Sequence, residues 1–471
     1  MRDRRTVRVV IPALAAVAGA LSLTATGPAA ASSPAGQSGS PIPTAWQAGV
    51  AKVVVTPREP IFQKGYGART KPSEGVREDL FVKALALRDE TGATSVLITS
   101  DLHSWTRGMS DTVADAARQQ YGLARERLIF NGSHTHSGPA ITGEDVFRPS
   151  EDITPEQQAV IRRYTAQLLT QVTALIGQAI ANLAPAELAF SVGSAGFGVN
   201  RRRVTDATRH LPGPVDHDVP VLRVRSADGT TRAVVFGYAC HATSATMDYV
   251  IHGDWPGYAQ AAIEAASAGT IAMFMTGCGA DCNPLPRGTS ESPAVYGAVM
   301  GTAVGQVLSG RMRVLTGPLT AAFDHVDIRF QTPPGRDELE TRLKTQKGMP
   351  ARHARQLLDQ LERDGRVADR YPYPVQVWQF GSGLTLIALG GEVVVDYSLR
   401  FKREYGWNDT WVAGYSNDVM GYIPSVRVLE EGGYEGGGAM VNYGRPGPVT
   451  PAIEETIAGK VEELVRQVRG R

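Results

Sequence analysis

Only three cysteines, Cys240, Cys278 and Cys282, occur among 471 residues. So few exclude a disulfide scaffold, and an odd number permits at most one bridge in an exported protein. Cys278 and Cys282 match neither the Cys-x-x-Cys spacing of a zinc site nor that of a redox pair, so small buried residues are the plain expectation. Aromatic residues are sparse at 7%, against 42% hydrophobic and 20% charged, a balance that suits a soluble globular chain with material for a large core. Charge of one sign is also lacking. With 48 Lys+Arg and 47 Asp+Glu the formal net charge is +1, so no basic field argues for nucleic acid and no acidic one for a solvating tail. The partner expected is a small molecule or a neutral surface.

Long apolar runs are absent after the first two dozen residues. Arg2, Arg4, Arg5 and Arg8 precede an apolar segment from Val9 to Leu23, followed by Ala29-Ala30-Ala31, the small-x-small pattern a signal peptidase accepts. Pro12 and Gly19 interrupt the segment, and it falls short of the roughly 20 residues a membrane span needs. Residues 1–31 therefore read as a cleaved export signal and the protein as secreted, with no span in the mature chain. Arg4-Arg5 resembles the pair of the twin-arginine route, although the flanking residues match that pattern poorly. Residues 32–45, rich in Ser, Gly and Pro, read as a flexible leader, and residues 46–471 as one large domain without an internal linker or repeat.

Apolar, β-branched runs alternate with helix-like segments, the pattern of an α/β protein with a mixed sheet layered by helices. Strands are expected at 94–99, 127–131, 219–224, 233–239, 271–275, 375–380 and 384–389. Thr154-Pro155-Glu156-Gln157 forms a capping box opening a helix to about Asn182. Further helices are expected at 256–267, with Asp254 as cap, at 294–308 and at 451–468. A charged helical hairpin is expected over 336–364, turning near Gly348-Met349-Pro350.

Several familiar catalytic signatures are missing. No Gly-x-Ser-x-Gly elbow follows a strand, and neither a Gly-x-Gly-x-x-Gly turn nor a phosphate-binding loop opens a helix. Cys240 precedes His241, but adjacent strand residues face opposite ways, which argues against thiol catalysis.

What is present is a set of polar residues where apolar runs stop, the place where ligands sit in open α/β sheets. The runs end in Asp101-Leu-His103, in His134-Thr-His136, in His241, in Asp281-Cys-Asn283 and in Glu392. Each has a dull explanation as a cap, turn or wall residue. Together, histidines and a carboxylate make a catalytic zinc set with a position open for water. Within His134-Thr-His136, strand alternation is expected to turn both imidazoles to one side.

These residues carry a resemblance to the neutral ceramidase family, specifically its N-terminal catalytic domain. Gly132-Ser-His-Thr-His-Ser-Gly-Pro139 resembles that family's histidine segment. Gly253-Asp254 with Gly257-Tyr-Ala259 is similar to a second element, and Ser416-Asn417, Tyr422-Ile423 and Tyr434-Glu435-Gly436 to its late tyrosine block. The resemblance implies one zinc per chain held by His134, His241, Glu392 and Tyr422. His136 would be the proton donor or acceptor, and Arg201 and Tyr434 would stabilise the oxyanion. Two departures stand out: Asn283 replaces the family's serine and cannot accept an acyl group, and the family's C-terminal β-sandwich domain has no counterpart before Arg471.

The expected function is thus a secreted zinc amidohydrolase cleaving an N-acyl amide, ceramide-like or otherwise, by metal-activated water. A lipid substrate is compatible with peripheral membrane contact. The alternatives are a zinc esterase or other hydrolase on a non-lipid substrate, or a binding protein with a vestigial site.

Overall fold

The computed structural model describes residues 45–142, 153–203 and 213–470. The expected signal and nearly all of the leader lie outside these residues. Strands in chain order are β1 (Trp46–Val54), β2 (Phe81–Arg88), β3 (Thr94–Ser100), β4 (Leu128–Gly132), β5 (Ala184–Ser194), β6 (Asp218–Ser226), β7 (Thr231–Tyr238) and β8 (Ile271–Thr276). They continue with β9 (Arg313–Leu315), β10 (Leu319–Arg329), β11 (Arg370–Phe380), β12 (Leu384–Leu389) and β13 (Thr410–Ala413). The nine-stranded sheet runs β8-β7-β6-β5-β1-β2-β3-β4, with β9 also on β5. Pairing is parallel at both ends, β8 with β7 and β3 with β4, and antiparallel between. A second sheet runs β10-β11-β12-β13, with β12 and β13 parallel.

The two sheets stack face to face. Leu85, Leu97, Ile129, Phe190, Leu222 and Met273 from the larger sheet meet Trp378, Phe380, Leu386 and Trp411 from the smaller in one buried cluster. The larger sheet's other face is covered by α1 (Arg107–Tyr121), α2 (Pro155–Ala181), α3 (Asp254–Ala266) and α4 (Ser292–Ser309). Val395–Tyr405 and Ile453–Val468 cover the smaller sheet's outer face. Four layers result, helix, sheet, sheet, helix, so both sheets are buried on both faces, which is why their strands read as nearly continuous apolar runs. A helical hairpin, Arg336–Thr345 and Met349–Asp364, packs around its own small cluster of Leu339, Leu357 and Leu358.

The expected elements are present, with one local correction. The box at Thr154 forms as read, its hydroxyl accepting from Gln157 N at 3.3 Å and Gln157 Oε1 accepting from Thr154 N at 2.9 Å. Asp254, however, does not cap α3: Gly253 holds that position, and Asp254 is the first helical residue, at φ +53°. Its carboxylate instead accepts from the backbone of Ser244 and Ala245, 3.0 and 3.2 Å away, and so shapes the turn after His241. Among the described residues no helix is long and apolar enough to cross a membrane.

Candidate metal and active site

The site forms where the ends of β4, β7, β8 and β12 converge. Asn131 stitches them together: its Nδ2 donates to Gly414 O at 2.8 Å and Ser416 Oγ at 3.1 Å, and its Oδ1 accepts from Thr276 N at 2.8 Å. One fully buried amide thus binds the last residues of β4 and β8 to the loop after β13.

His134 and His136 do converge, but not by strand alternation. β4 ends at Gly132, and His134 lies beyond it at φ +59°. A left-handed residue that is not glycine is uncommon and typically costs about 1–3 kcal/mol, held by its surroundings. Tyr415 and Asn417, in the facing loop, share that conformation at φ +52° and +65°. The turn leaves the two rings 4.9 Å apart, with Nε2 of His136 3.3 Å from Nε2 of His134. Gly65 backs the His136 ring at φ +102°, so close that a Cβ there would lie 2.4 Å from the ring's Cγ.

His134, His241 and Glu392 meet as the sequence suggested. Nε2 of each histidine lies 3.2 Å from Glu392 Oε2, and one donor atom from each of the three falls within 4.8 Å of the others, all in buried residues. The opposite nitrogens are committed: His134 Nδ1 faces His103 O at 2.9 Å and His241 Nδ1 faces Gly279 O at 2.8 Å. A nitrogen facing a carbonyl must carry the proton, which leaves both Nε2 lone pairs aimed at a carboxylate oxygen. Such an arrangement is repulsive by itself and matched to a cation between the three. The donor set therefore fits a divalent metal ion.

The carboxylate is further held by phenols. Tyr443 donates to Glu392 Oε1 in a short hydrogen bond, and Tyr415 to Oε2 at 3.4 Å. Burial, then Arg201, pushes the His241 imidazole down to about 4. Burial drives His103 and His136 well below the ordinary histidine value, reinforced by His134. These imidazoles are therefore neutral and available as donors.

The other expected site residues are placed as follows. Tyr422 is buried, and its hydroxyl accepts from Arg201 Nη2 at 2.9 Å, while Arg201 Nη1 lies 3.3 Å from His241 Nε2. Tyr434 is 49% exposed, its ring 5.3 Å from that of Tyr422 and its hydroxyl accepting from Asn442 at 3.1 Å. Asn283 sits on a short ribbon, Cys282–Pro284 against Gly198–Asn200, with Oδ1 3.4 Å from Thr243 Oγ1. Two strand-end acids are structural: Asp101 accepts from Phe81 N and Gln260, and Asp281 from Val395 N and Asn200. The cysteines are all free and buried, and burial pushes the Cys240 and Cys278 thiols up, away from nucleophilic use.

His103 joins the cluster although the resemblance gave it no role. Donor atoms of His103, His134 and His136 also fall within 4.8 Å of one another. Both groupings draw on His134, whose Nδ1 is engaged, so they share one nitrogen and cannot hold two ions independently. Tyr415 and Tyr443 were missed as well, since nothing in sequence separates a phenol on a carboxylate from one in a core.

Fold and site together define a layered α/β protein with a buried histidine–carboxylate centre of hydrolase type. The family model for the neutral/alkaline non-lysosomal ceramidase N-terminal domain matches residues 46–305, and the chain belongs to this family of hydrolases. Among solved structures it is similar to a neutral ceramidase from Pseudomonas aeruginosa, with a TM-score of 0.71 and 17% identity over 91% of this chain and 75% of that one. A structure described as a ceramidase complexed with C2 matches alike, with a TM-score of 0.71 and 16% identity over 91% of this chain and 76% of that one. At such identity these are likenesses of fold.

Proposed function

We propose that the protein is a secreted, zinc-dependent amidohydrolase that cleaves the N-acyl amide bond of ceramide or a related N-acyl lipid. The observation that carries this reading is the pair of Nε2 atoms aimed at one Glu392 oxygen. His134, His241 and Glu392 would hold the ion, with Tyr422 as fourth ligand. When bound, zinc supplies Lewis acidity towards a carbonyl oxygen and brings the pKa of water towards neutrality.

The chain's own groups supply the rest. Arg201 reaches the centre with its guanidinium and, with Tyr434 at the mouth, would meet the charge that develops on the carbonyl oxygen. His136, neutral at rest, would accept a proton at Nε2 and return it to the departing amine. Asn283 offers no hydroxyl to take the acyl group at that position, which favours water as the nucleophile. Its amide, set beside Thr243, would orient the polar end of the substrate.

The family membership and the relative complexed with C2 support a ceramide-like substrate, and the basic-then-apolar segment at residues 1–31 supports export. The test is a panel of N-acyl amides and matching esters offered to zinc-loaded and metal-stripped protein. Amide cleavage lost on stripping and regained with zinc is expected. Full activity without metal would remove the proposal, and protein that stays inside the producing cell with residues 1–31 intact would remove the export reading.

A further inference from the structure

Arg201, Arg202 and Arg203 occupy one 3-10 turn between the Gly198–Asn200 strand and residues outside the described set. Three adjacent cations repel one another, and each needs a counter-charge to keep its direction. Glu435 divides its carboxylate between two of them: Oε1 accepts from Arg201 Nε at 2.6 Å and Oε2 from Arg202 Nη1 at 2.7 Å. Glu431 pairs with Arg202 at 3.1 Å and with Arg203 at 2.5 Å. The two acids thus split the triplet, and Glu435 takes the member that faces the centre.

The effect on Arg201 is to pin both ends of a long, rotamer-rich side chain. Its backbone N donates to Asp281 O at 2.7 Å. With Nε engaged by Glu435, the planar fork leaves Nη1 towards His241 and Nη2 on Tyr422. The same carboxylate tethers its own segment. Glu435 lies in Gly432-Gly-Tyr-Glu-Gly-Gly-Gly438, where Gly432, Gly433 and Gly437 sit at φ +67°, +77° and +144°. So many glycines give a backbone with little conformational preference of its own. Glu435 is 5% exposed beside a Tyr434 that is 49% exposed, and Arg201 Cζ lies 5.9 Å from the Tyr434 ring.

We propose that Glu435 is a positioning residue that fixes Arg201 towards the histidine–carboxylate centre and holds Tyr434 at its mouth. This rests on the reading above of Arg201 and Tyr434 as the groups that meet the carbonyl oxygen. A merely structural ion pair would fasten the segment without acting through Arg201, and the two roles separate in a double-mutant cycle.

The experiment compares wild type, Glu435→Gln, Glu435→Ala, Arg201→Ala and the Arg201→Ala/Glu435→Ala double variant, with Glu431→Ala as control. The readouts are zinc content, kcat and KM on the amide that the wild type cleaves, and crystal structures of the Glu435 variants. Glu435→Ala is expected to lower kcat by about 10–100-fold with zinc content unchanged, and KM to stay within about twofold of wild type. In the Arg201→Ala background the same change is expected to cost less than about twofold, and Glu431→Ala to leave kcat unchanged. The crystal structures are expected to show the guanidinium turned away from the Tyr422 hydroxyl. An equal loss in both backgrounds, or an Arg201 unmoved in the variant structures, would overturn the proposal. Glu435→Gln keeps side-chain volume and one acceptor, so it carries the comparison if the alanine variant does not fold. If the wild type cleaves no N-acyl amide, the functional reading fails, and the crystal structures alone decide the role of Glu435.

Discussion

His134 and His241 present their Nε2 atoms to the same oxygen of Glu392, each from 3.2 Å. With both Nδ1 atoms fixed on carbonyls, neither ring can rotate to avoid the encounter, so removing either imidazole would dismantle the proposed ion site rather than adjust it. His134→Ala and His241→Ala are expected to lose bound zinc and to lower amide cleavage by about 10²-fold or more. Added zinc is expected to raise the Tm of stripped wild type but not of either variant. Metal analysis and thermal denaturation check this, and a variant that keeps a full equivalent of zinc would count against the ligand assignment.

Asn283 sets a different expectation for the chemistry. Without a hydroxyl at that position no acyl adduct can form there, so intact-protein mass spectrometry during turnover of an activated N-acyl substrate should show no added acyl mass. Asn283→Ser, which restores the family's residue, is expected to leave zinc content unchanged. An acyl adduct on the wild-type protein would contradict water as the direct nucleophile.

Asn131 is the point where the two sheets are tied at the site. Asn131→Ala would leave the Thr276 N–H buried without its partner, while Gly414 O keeps the hydrogen bond from the Ser416 hydroxyl at 2.9 Å. One such group typically costs about 1–3 kcal/mol, so a loss of that order in urea denaturation is expected. A loss below about 0.5 kcal/mol, the size of an ordinary surface change, would show that the stitch contributes little.

Glu78 gives the fold a pH dependence separate from the site. Burial, then the Asp101 carboxylate, pushes its carboxyl up from 4.5 to about 8. Between those values the folded state binds more protons than the unfolded one, so stability falls as pH rises through this window and the loss is complete above it. Glu78→Gln removes the titration and keeps an acceptor for Gly253 N, which lies 3.4 Å from Glu78 Oε2. The Tm of the variant is expected to match wild type near pH 5 and to exceed it increasingly towards pH 9. A constant difference across that range would show that Glu78 does not titrate as stated.

Much of the fold was legible because doubly buried strands have to be apolar and long helices have to be capped, as at Thr154. The convergence of His134, His241 and Glu392 was legible for a related reason, since polar groups directly after buried strands stand where loops converge. The route by which His134 meets His136 was not. Alternation predicts a shared face, yet the chain leaves the strand at Gly132 and turns through a left-handed residue, a choice imposed by the surrounding loops rather than by local preference. Tyr415, Tyr443 and Glu435 were equally hidden, because their partners lie 23, 51 and 234 positions away and no spacing rule spans such distances. Asp254 shows the reverse case, a residue with the chemistry of a cap that tertiary contacts recruit for another turn.

Gly65 bears on how the cavity could be reshaped. Because bare main chain there presses on His136, even a methyl group at position 65 would dislodge the ring proposed to shuttle protons, and the left-handed backbone would penalise the substitution again. Any reshaping of the cavity to broaden substrate choice therefore has to leave position 65 as glycine.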